Sequence, residues 1–454
     1  MSFRVIDEVP VDPGSARVYP EGWQSWSPTT WYPVGREGHW PQGARQHTMR
    51  FRPGVALPER GVQGEGLLVL DPGDGQPARR YATVDASEQV ASIRARLDMD
   101  TVVVSATDEV ATSTHAEGPM AALTSYGEQF AARAGVVELR PAPRVWSSWY
   151  QYFLDVTAAD IAENAAAFDD HDLPFDLVQI DDGWSHGIGE STRLTAGFAA
   201  LPRLVDQIHA AGRQVGIWLA PFLVGVDSDL ARRHPDWCVG PAGYNWGQDL
   251  TGLDLTHPGV REHLFATVRG LGDLGVGYLK LDFLYGGAVD GRRRHDVTAV
   301  AAYRSGLELI REAAGPETFV LGCGAPILPS VGLVDAMRVS PDTFHEGAED
   351  GSDGLRGRMS LIARAWQQGR FWINDPDCLV ARPSYRLREG WADTVREFGG
   401  LRSSSDRVAA LDQWGLETTR ALLRDAPAPA PFSAAVLESS RTIATDHDSG
   451  VAPR

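Results

Sequence analysis

From Pro141 onward the chain repeats one unit: a short apolar run ending in polar or aromatic residues, a turn, then an amphipathic stretch. Apolar runs bounded by turn residues read as buried strands, and strands alternating with helices of ten or more residues imply a parallel sheet with helical crossovers. The predicted strands are Arg144–Trp149, Asp176–Ile180, Gln214–Ala220, Val276–Asp282, Thr318–Cys323, Asp335–Ser340 and Phe371–Asn374, with a faintly marked eighth near Gly400. Predicted helices at Ala159–Asp170, Leu204–Ala211, Pro258–Leu271, Val297–Ala313, Leu355–Gln368 and Glu389–Phe398 fall between them, and Ala409–Leu423 supplies one more. The stretch has the size of a (β/α)8 barrel, typically ~250 residues. An open doubly wound sheet would carry a glycine-rich phosphate turn after its first strand, and Ser147-Ser148-Trp149-Tyr150-Gln151 is not one.

Upstream, Gly66-Leu67-Leu68-Val69-Leu70-Asp71 and Thr101-Val102-Val103-Val104-Ser105 alternate among Gly- and Pro-rich turns. The expected organisation is therefore an all-β, sandwich-like domain over 1–140 and a catalytic barrel over 141–424. An Ala/Pro-rich, flexible tail is expected over 425–454, beginning with Ala426-Pro427-Ala428-Pro429-Ala430-Pro431. A net charge of -18, from 60 acidic and 42 basic residues, disfavours nucleic acid and anionic membranes and favours a neutral or cationic small molecule. Three widely spaced cysteines, and the lack of CxxC, HExxH, Walker or GxGxxG motifs, give no reason to expect a disulfide framework, metal or cofactor. No basic-then-apolar leader or bilayer-length apolar run is present, so a cytoplasmic location is expected.

A parallel barrel builds its active site where the strands end. Lys280 and Asp282, two apart on one strand, share a face, and two opposite charges on an inward face suit a site as well as a packing ion pair. The other strand exits carry Trp149-Tyr150, Asp181-Asp182-Gly183-Trp184, Trp218, Cys323-Gly324, Arg338 with Asp342, and Asn374-Asp375-Pro376-Asp377. Aromatic faces for pyranose C–H patches and carboxylates for hydroxyls suit a sugar, with Trp149, Trp184 and Trp218 as stacking candidates. Gly183 gives the turn needed for both Asp181 and Asp182 to reach one cavity. Asp282 and Asp342 then provide the two carboxyl groups that glycoside cleavage requires.

These residues resemble glycoside hydrolase family 36, the bacterial α-galactosidase family. The resemblance runs in order through Ser148-Trp149-Tyr150, Gln179-Ile180-Asp181-Asp182-Gly183-Trp184, Gly216-Ile217-Trp218-Leu219-Ala220-Pro221-Phe222, His234-Pro235-Asp236-Trp237 and Leu253-Asp254-Leu255-Thr256-His257-Pro258. It continues through Tyr278-Leu279-Lys280-Leu281-Asp282-Phe283, Gly322-Cys323-Gly324, Met337-Arg338-Val339-Ser340-Pro341-Asp342 and Trp372-Ile373-Asn374-Asp375-Pro376-Asp377-Cys378-Leu379. It implies a retaining exo-α-galactosidase with Asp282 as nucleophile and Asp342 as acid/base. Asp181 and Asp182 would hold the 4- and 6-hydroxyls, and Trp149, Tyr150, Trp218, Lys280, Cys323 and Arg338 would complete the substrate pocket.

Lys280 is expected to be the counter-charge of Asp282, and Arg338 to point towards the sugar and Asp282, away from Asp342, because an arginine touching the acid opposes its protonation. An α-N-acetylgalactosaminidase, a galactosyl-transferring enzyme and an inactive sugar binder are the alternatives; homo-oligomerisation is left open. The family's C-terminal β-domain is expected to be absent or reduced to the tail from about Asp425. Gly22-Trp23-Gln24-Ser25-Trp26-Ser27 also resembles a family feature, its tryptophans reaching either the barrel mouth or the sandwich core.

Overall fold

The computed structural model describes residues 2–38, 43–136, 138–245, 247–342 and 352–446. Eight parallel strands follow in chain order: β1 (Arg144–Ser147), β2 (Leu177–Ile180), β3 (Gln214–Leu219), β4 (Val276–Leu281), β5 (Phe319–Gly322), β6 (Ala336–Arg338), β7 (Ile373–Asp375) and β8 (Arg402–Ser404). From β1 to β7 each pairs with the next in chain order, and β8 pairs with β1. The seam between β7 and β8 closes through single bonds: Leu401 N–H to Asn374 O, Leu379 N–H to Ser403 O, and Ser405 N–H to Leu379 O. The fold is thus a (β/α)8 barrel behind an N-terminal all-β domain.

Period-2 alternation fills the barrel in layers. Val145, Leu177, Tyr278, Phe319, Leu321, Ala336, Ile373 and Leu401 form one apolar cluster from inward positions of the strands. One step towards the strand ends, the same inward rows continue as Ser147, Gln179, Lys280, Arg338 and Asp375, all buried. Crossover helices cover the outside, at Ala158–Asp170, Leu201–Ala210, Pro258–Asp273, Ala299–Ala314, Ser352–Ala363, Arg388–Phe398 and Gln413–Arg424. The first begins with a capping box, Thr157 and Asp160 satisfying each other's backbone N–H groups, which fixes where the helix starts.

Two antiparallel sheets make the N-terminal sandwich. One orders Arg4–Pro10, Thr101–Ala106, Ser92–Asp98 and Val62–Glu65; the other orders Tyr32–Pro33, Arg17–Pro20, Leu67–Asp71, Ala78–Ala82 and Ala111–His115. Leu68 and Leu70 face the sandwich core with Val18, Tyr81, Ile93 and Val104. Leu67 and Val69, on the opposite face, join Tyr19, Tyr126, Phe130 and Trp366 in the main core. The run Leu67–Leu70 is apolar at every position because its sheet is covered on both sides. Helix Pro119–Arg133 contributes to that second cover.

Between β5 and β6 the barrel has only the short turn Ile327–Ser330, and there the N-terminal segment docks. Ser25 N–H donates to Ala325 O, Ile327 N–H to Trp23 O, and Gln24 bridges Pro326. The segment beyond Asp425 corrects an expectation. Residues Ala434–Asp446 form a helix with Leu437 and Ala444 buried, Thr30 Oγ1 donating to Ala444 O and Arg441 pairing with Asp71 at 3.0 Å. Its apolar positions find a groove between the domains, which the alternating Ala-Pro lead-in conceals. No described helix is long and apolar enough to cross a membrane.

Candidate active site

Lys280 Nζ lies 2.9 Å from Asp181 Oδ2, with both side chains almost wholly enclosed. The expected counter-charge for Asp282 is thus primarily the partner of Asp181. Burial works against the Lys280 charge, but Asp181 and then Asp282 overcome it and hold the ammonium well above its ordinary range. Gln179 Nε2 donates to the same Asp181 oxygen at 2.5 Å, and Asp181 N–H donates to Ser148 Oγ at 3.0 Å. The Lys280 and Gln179 bonds hold the carboxylate in one orientation, and the Ser148 bond holds its backbone.

Asp182 follows directly, and Gly183 turns the backbone at φ +111°, where a Cβ would meet Leu154 O at 2.9 Å. Both aspartates are buried. Burial pushes Asp182 up to about 7, Asp181 and Asp282 add to the rise, and Gly183 N–H and Lys280 oppose it. Lys280 thus acts on both members of the pair.

Two N–H donors reach the Asp282 carboxylate: Trp218 Nε1 on Oδ2 at 3.1 Å and Phe283 N on Oδ1 at 2.8 Å. Trp218 and Lys280 are register partners in β3 and β4, so their side chains emerge on the same face. Phe283 takes φ +51°, a left-handed conformation that is costly for a bulky residue and turns the chain away immediately after the carboxylate. Trp26 packs edge-on against Phe283, with centroids 5.1 Å apart, and against Gly324. The N-terminal segment therefore reaches the barrel mouth through Trp26, while Trp23 is buried in the main core.

Arg338 departs from expectation. Its Nη1 lies 3.2 Å from Asp342 Oδ1, its Nε 2.8 Å from Asp375 Oδ2, and its Nη2 2.9 Å from Asp377 Oδ1. The contact with Asp342 is single, but it exists, so the expected orientation away from the acid is corrected. The cause is register: Arg338 is the β6 partner of Asp375 in β7, which aims both side chains into the same layer. Asp342 has 50% of its side-chain surface open to the mouth. It is pushed up to about 6 by enclosure and by the negative charge of Asp377, Arg338 and Lys280 opposing.

The remaining candidates divide. Tyr150 is buried and its hydroxyl donates to Asp377. Cys323 is buried at the end of β5, burial and then Asp282 pushing its thiol up. Trp149 begins a helical turn, Trp149–Tyr152, rather than ending β1, and packs on Phe153 at 5.1 Å. Trp184 is not a stacking platform: it is buried in the core and donates its indole N–H to Trp218 O at 2.9 Å. Gln179 is not among the sequence candidates, and Asp375 and Asp377 stand there only as part of the β7 exit, with no role assigned. For Asp375 and Asp377 the signal was available, since two aspartates two apart at the end of β7 repeat the Lys280/Asp282 pattern.

Known proteins bear on this arrangement. The sequence profile of the family described as Melibiase matches residues 131–298. An α-galactosidase from Thermus thermophilus, solved with p-nitrophenyl α-D-galactopyranoside, superposes with a TM-score of 0.74 at 28% identity, over 93% of this chain and 89% of that one. These similarities are to α-galactosidases, in line with the resemblance to glycoside hydrolase family 36. Among curated proteins, the α-galactosidase of Escherichia coli is 28% identical over 55% of this chain and 35% of its own length. The bifunctional α-galactosidase/sucrose kinase of Mediterraneibacter gnavus is 30% identical over 30% of this chain and 15% of its own. The aligned chain thus spans about a sixth to a third of these two relatives.

Proposed function

We propose that the protein is a retaining exo-α-galactosidase acting on terminal α-linked galactose of oligosaccharides. The observation that carries this reading is the unequal environment of two carboxyl groups at the ends of β4 and β6. Asp282 is aimed by N–H donors, whereas Asp342 is pushed up to about 6 and half-open to the mouth. Glycoside cleavage by double displacement needs that asymmetry. An Asp282 oxygen attacks the anomeric carbon as its bond to the aglycone oxygen breaks, and the Asp342 proton passes to that oxygen. Asp342 then takes a proton from water, whose oxygen displaces Asp282 and releases galactose with its configuration kept.

In this reading Asp181 and Asp182 receive the 4- and 6-hydroxyls, and Lys280 holds Asp181 in place. Selectivity follows because a site built to hydrogen-bond particular hydroxyls rejects an epimer that leaves its buried groups unpaired. Trp218, Tyr150, Trp149, Cys323 and Arg338 form the remaining walls. Similarity to the Melibiase profile and to α-galactosidases supports the assignment, as does the Thermus thermophilus enzyme's structure in complex with stachyose.

Incubation with p-nitrophenyl α-galactoside should release p-nitrophenol, and proton NMR should show α-galactose as the first product. Asp282→Gly should abolish turnover, with azide restoring part of it as galactosyl azide. Initial β-galactose would replace retention by inversion, and undiminished turnover by the Gly variant would remove Asp282 from its role. A panel of aryl glycosides altered at the 2- and 4-positions separates this activity from that of an α-N-acetylgalactosaminidase.

A further inference from the structure

We propose that Asp377 is a positioning residue whose fixed negative charge holds the proton on Asp342 against the pull of Arg338. The inference rests on the glycosidase reading and explains how an acid can work with a guanidinium 3.2 Å away.

One positive charge is shared here among three carboxylates. Asp375, the register partner, balances Arg338 through Nε at 2.8 Å. Asp377, on Nη2 at 2.9 Å, is then a negative charge in excess, held on the guanidinium nitrogen beside the one that touches Asp342. A like charge within ~4–6 Å disfavours ionisation of its neighbour. Other groups act on Asp342 too. From β4, Asp282 adds a negative charge and Lys280 a positive one, in opposite senses. Tyr150 and Cys323 also face it, and burial pushes both upward, so they remain neutral. What is left is Arg338 against Asp377.

The backbone gives independent support. Asp377 sits at φ +90°, outside the regions L residues favour. Such a conformation costs on the order of 1–3 kcal/mol and persists only where surrounding bonds over-determine it. They do so here. Asp377 N–H donates to Asp375 Oδ1 at 3.0 Å, Cys378 N–H donates to Asp377 Oδ1 at 2.7 Å, and the Tyr150 hydroxyl and Arg338 complete the cage. Asp377 has no exposed surface, so water does not screen its charge.

The test deletes the charge in two ways. Asp377→Asn is nearly isosteric and keeps an acceptor for Tyr150; Asp377→Gly suits φ +90° and serves should the Asn form fail to fold. Asp377→Glu keeps the charge. Rates are read as kcat/KM against pH for a disaccharide galactoside, whose leaving group needs the proton, and for 2,4-dinitrophenyl α-galactoside, whose leaving group does not. In either charge-deleted form the alkaline limb for the disaccharide should fall by about one pH unit, with about a tenfold loss above it, while the dinitrophenyl substrate changes little. Asp377→Glu should return the limb towards its original position. An unmoved limb, with both substrates slowed alike, overturns the proposal.

Carbon-13 NMR of labelled aspartate carboxyls, with the Asp342 signal assigned by its loss in Asp342→Asn, reads the same proton without turnover. A downward move of that titration in the Asn form supports the inference even if the unaltered protein cleaves no α-galactoside, an outcome that would sink only the glycosidase reading. An unmoved Asp342 titration overturns the inference alone.

Discussion

Replacing Arg364 with methionine should loosen the N-terminal domain from the barrel, and the size of the effect follows from what the guanidinium holds. Arg364 and Glu21 have no exposed surface and pair at 2.8 Å. The same side chain donates to Ser25 O at 2.8 Å, Val339 O at 2.7 Å and Thr29 Oγ1 at 2.9 Å. It therefore ties the loop carrying Trp26 to the backbone immediately after Arg338. Removing one partner of a buried ion pair costs about 3–5 kcal/mol, and each orphaned buried carbonyl adds about 1–3. Glu21 retains donors in the Tyr19 hydroxyl, Gly22 N–H and Gln367 Nε2, which limits the loss.

About 5 kcal/mol is therefore expected, a large share of the ~5–15 kcal/mol that holds typical proteins folded. At roughly 2 °C per kcal/mol for a body of this size, Tm should fall by about 10 °C. Calorimetry or tryptophan fluorescence measures it. The double variant Glu21→Gln with Arg364→Met, which removes the stranded charge, should recover about half of the loss. A single variant melting within about 2 °C of the parent, or a double variant less stable than the single, would refute the reasoning.

Two further outcomes are expected. Asp182, pushed up to about 7 in the fold from 3.8, keeps its proton where the unfolded chain has lost it, so stability falls as pH rises between those values. Asp182→Asn should therefore be more stable than the parent at pH 8, by up to about 4 kcal/mol, with the advantage gone below pH ~4; denaturation at both pH values checks this, and an equal gain at both contradicts it. Trp218→Phe removes the 3.1 Å bond to Asp282 Oδ2. A bond to a charged group is worth about 1.5–3 kcal/mol, so kcat/KM should drop roughly 10- to 100-fold, and a change under about threefold would show that the bond does not aim the carboxylate.

The repeat of apolar run, polar exit and helix set the barrel by itself, because strand alternation decides which residues face inward before any contact is known. The shared face of Lys280 and Asp282, two apart at the end of β4, was read from that period, and the turn after Asp181 and Asp182 from the glycine that follows the pair. What the period does not encode is which neighbour an inward charge chooses. Lys280 reaches across to Asp181, and Arg338 gathers Asp342, Asp375 and Asp377, because register between strands far apart in sequence sets those distances. Trp184 reads as a site residue at a strand exit, yet tertiary packing gives it the Trp218 carbonyl and a core position. The docking of Trp26 against Phe283, the helix Ala434–Asp446 and the Arg364 pair with Glu21 share one cause. Each depends on a surface formed only when the two domains meet, and no local stretch of sequence contains it.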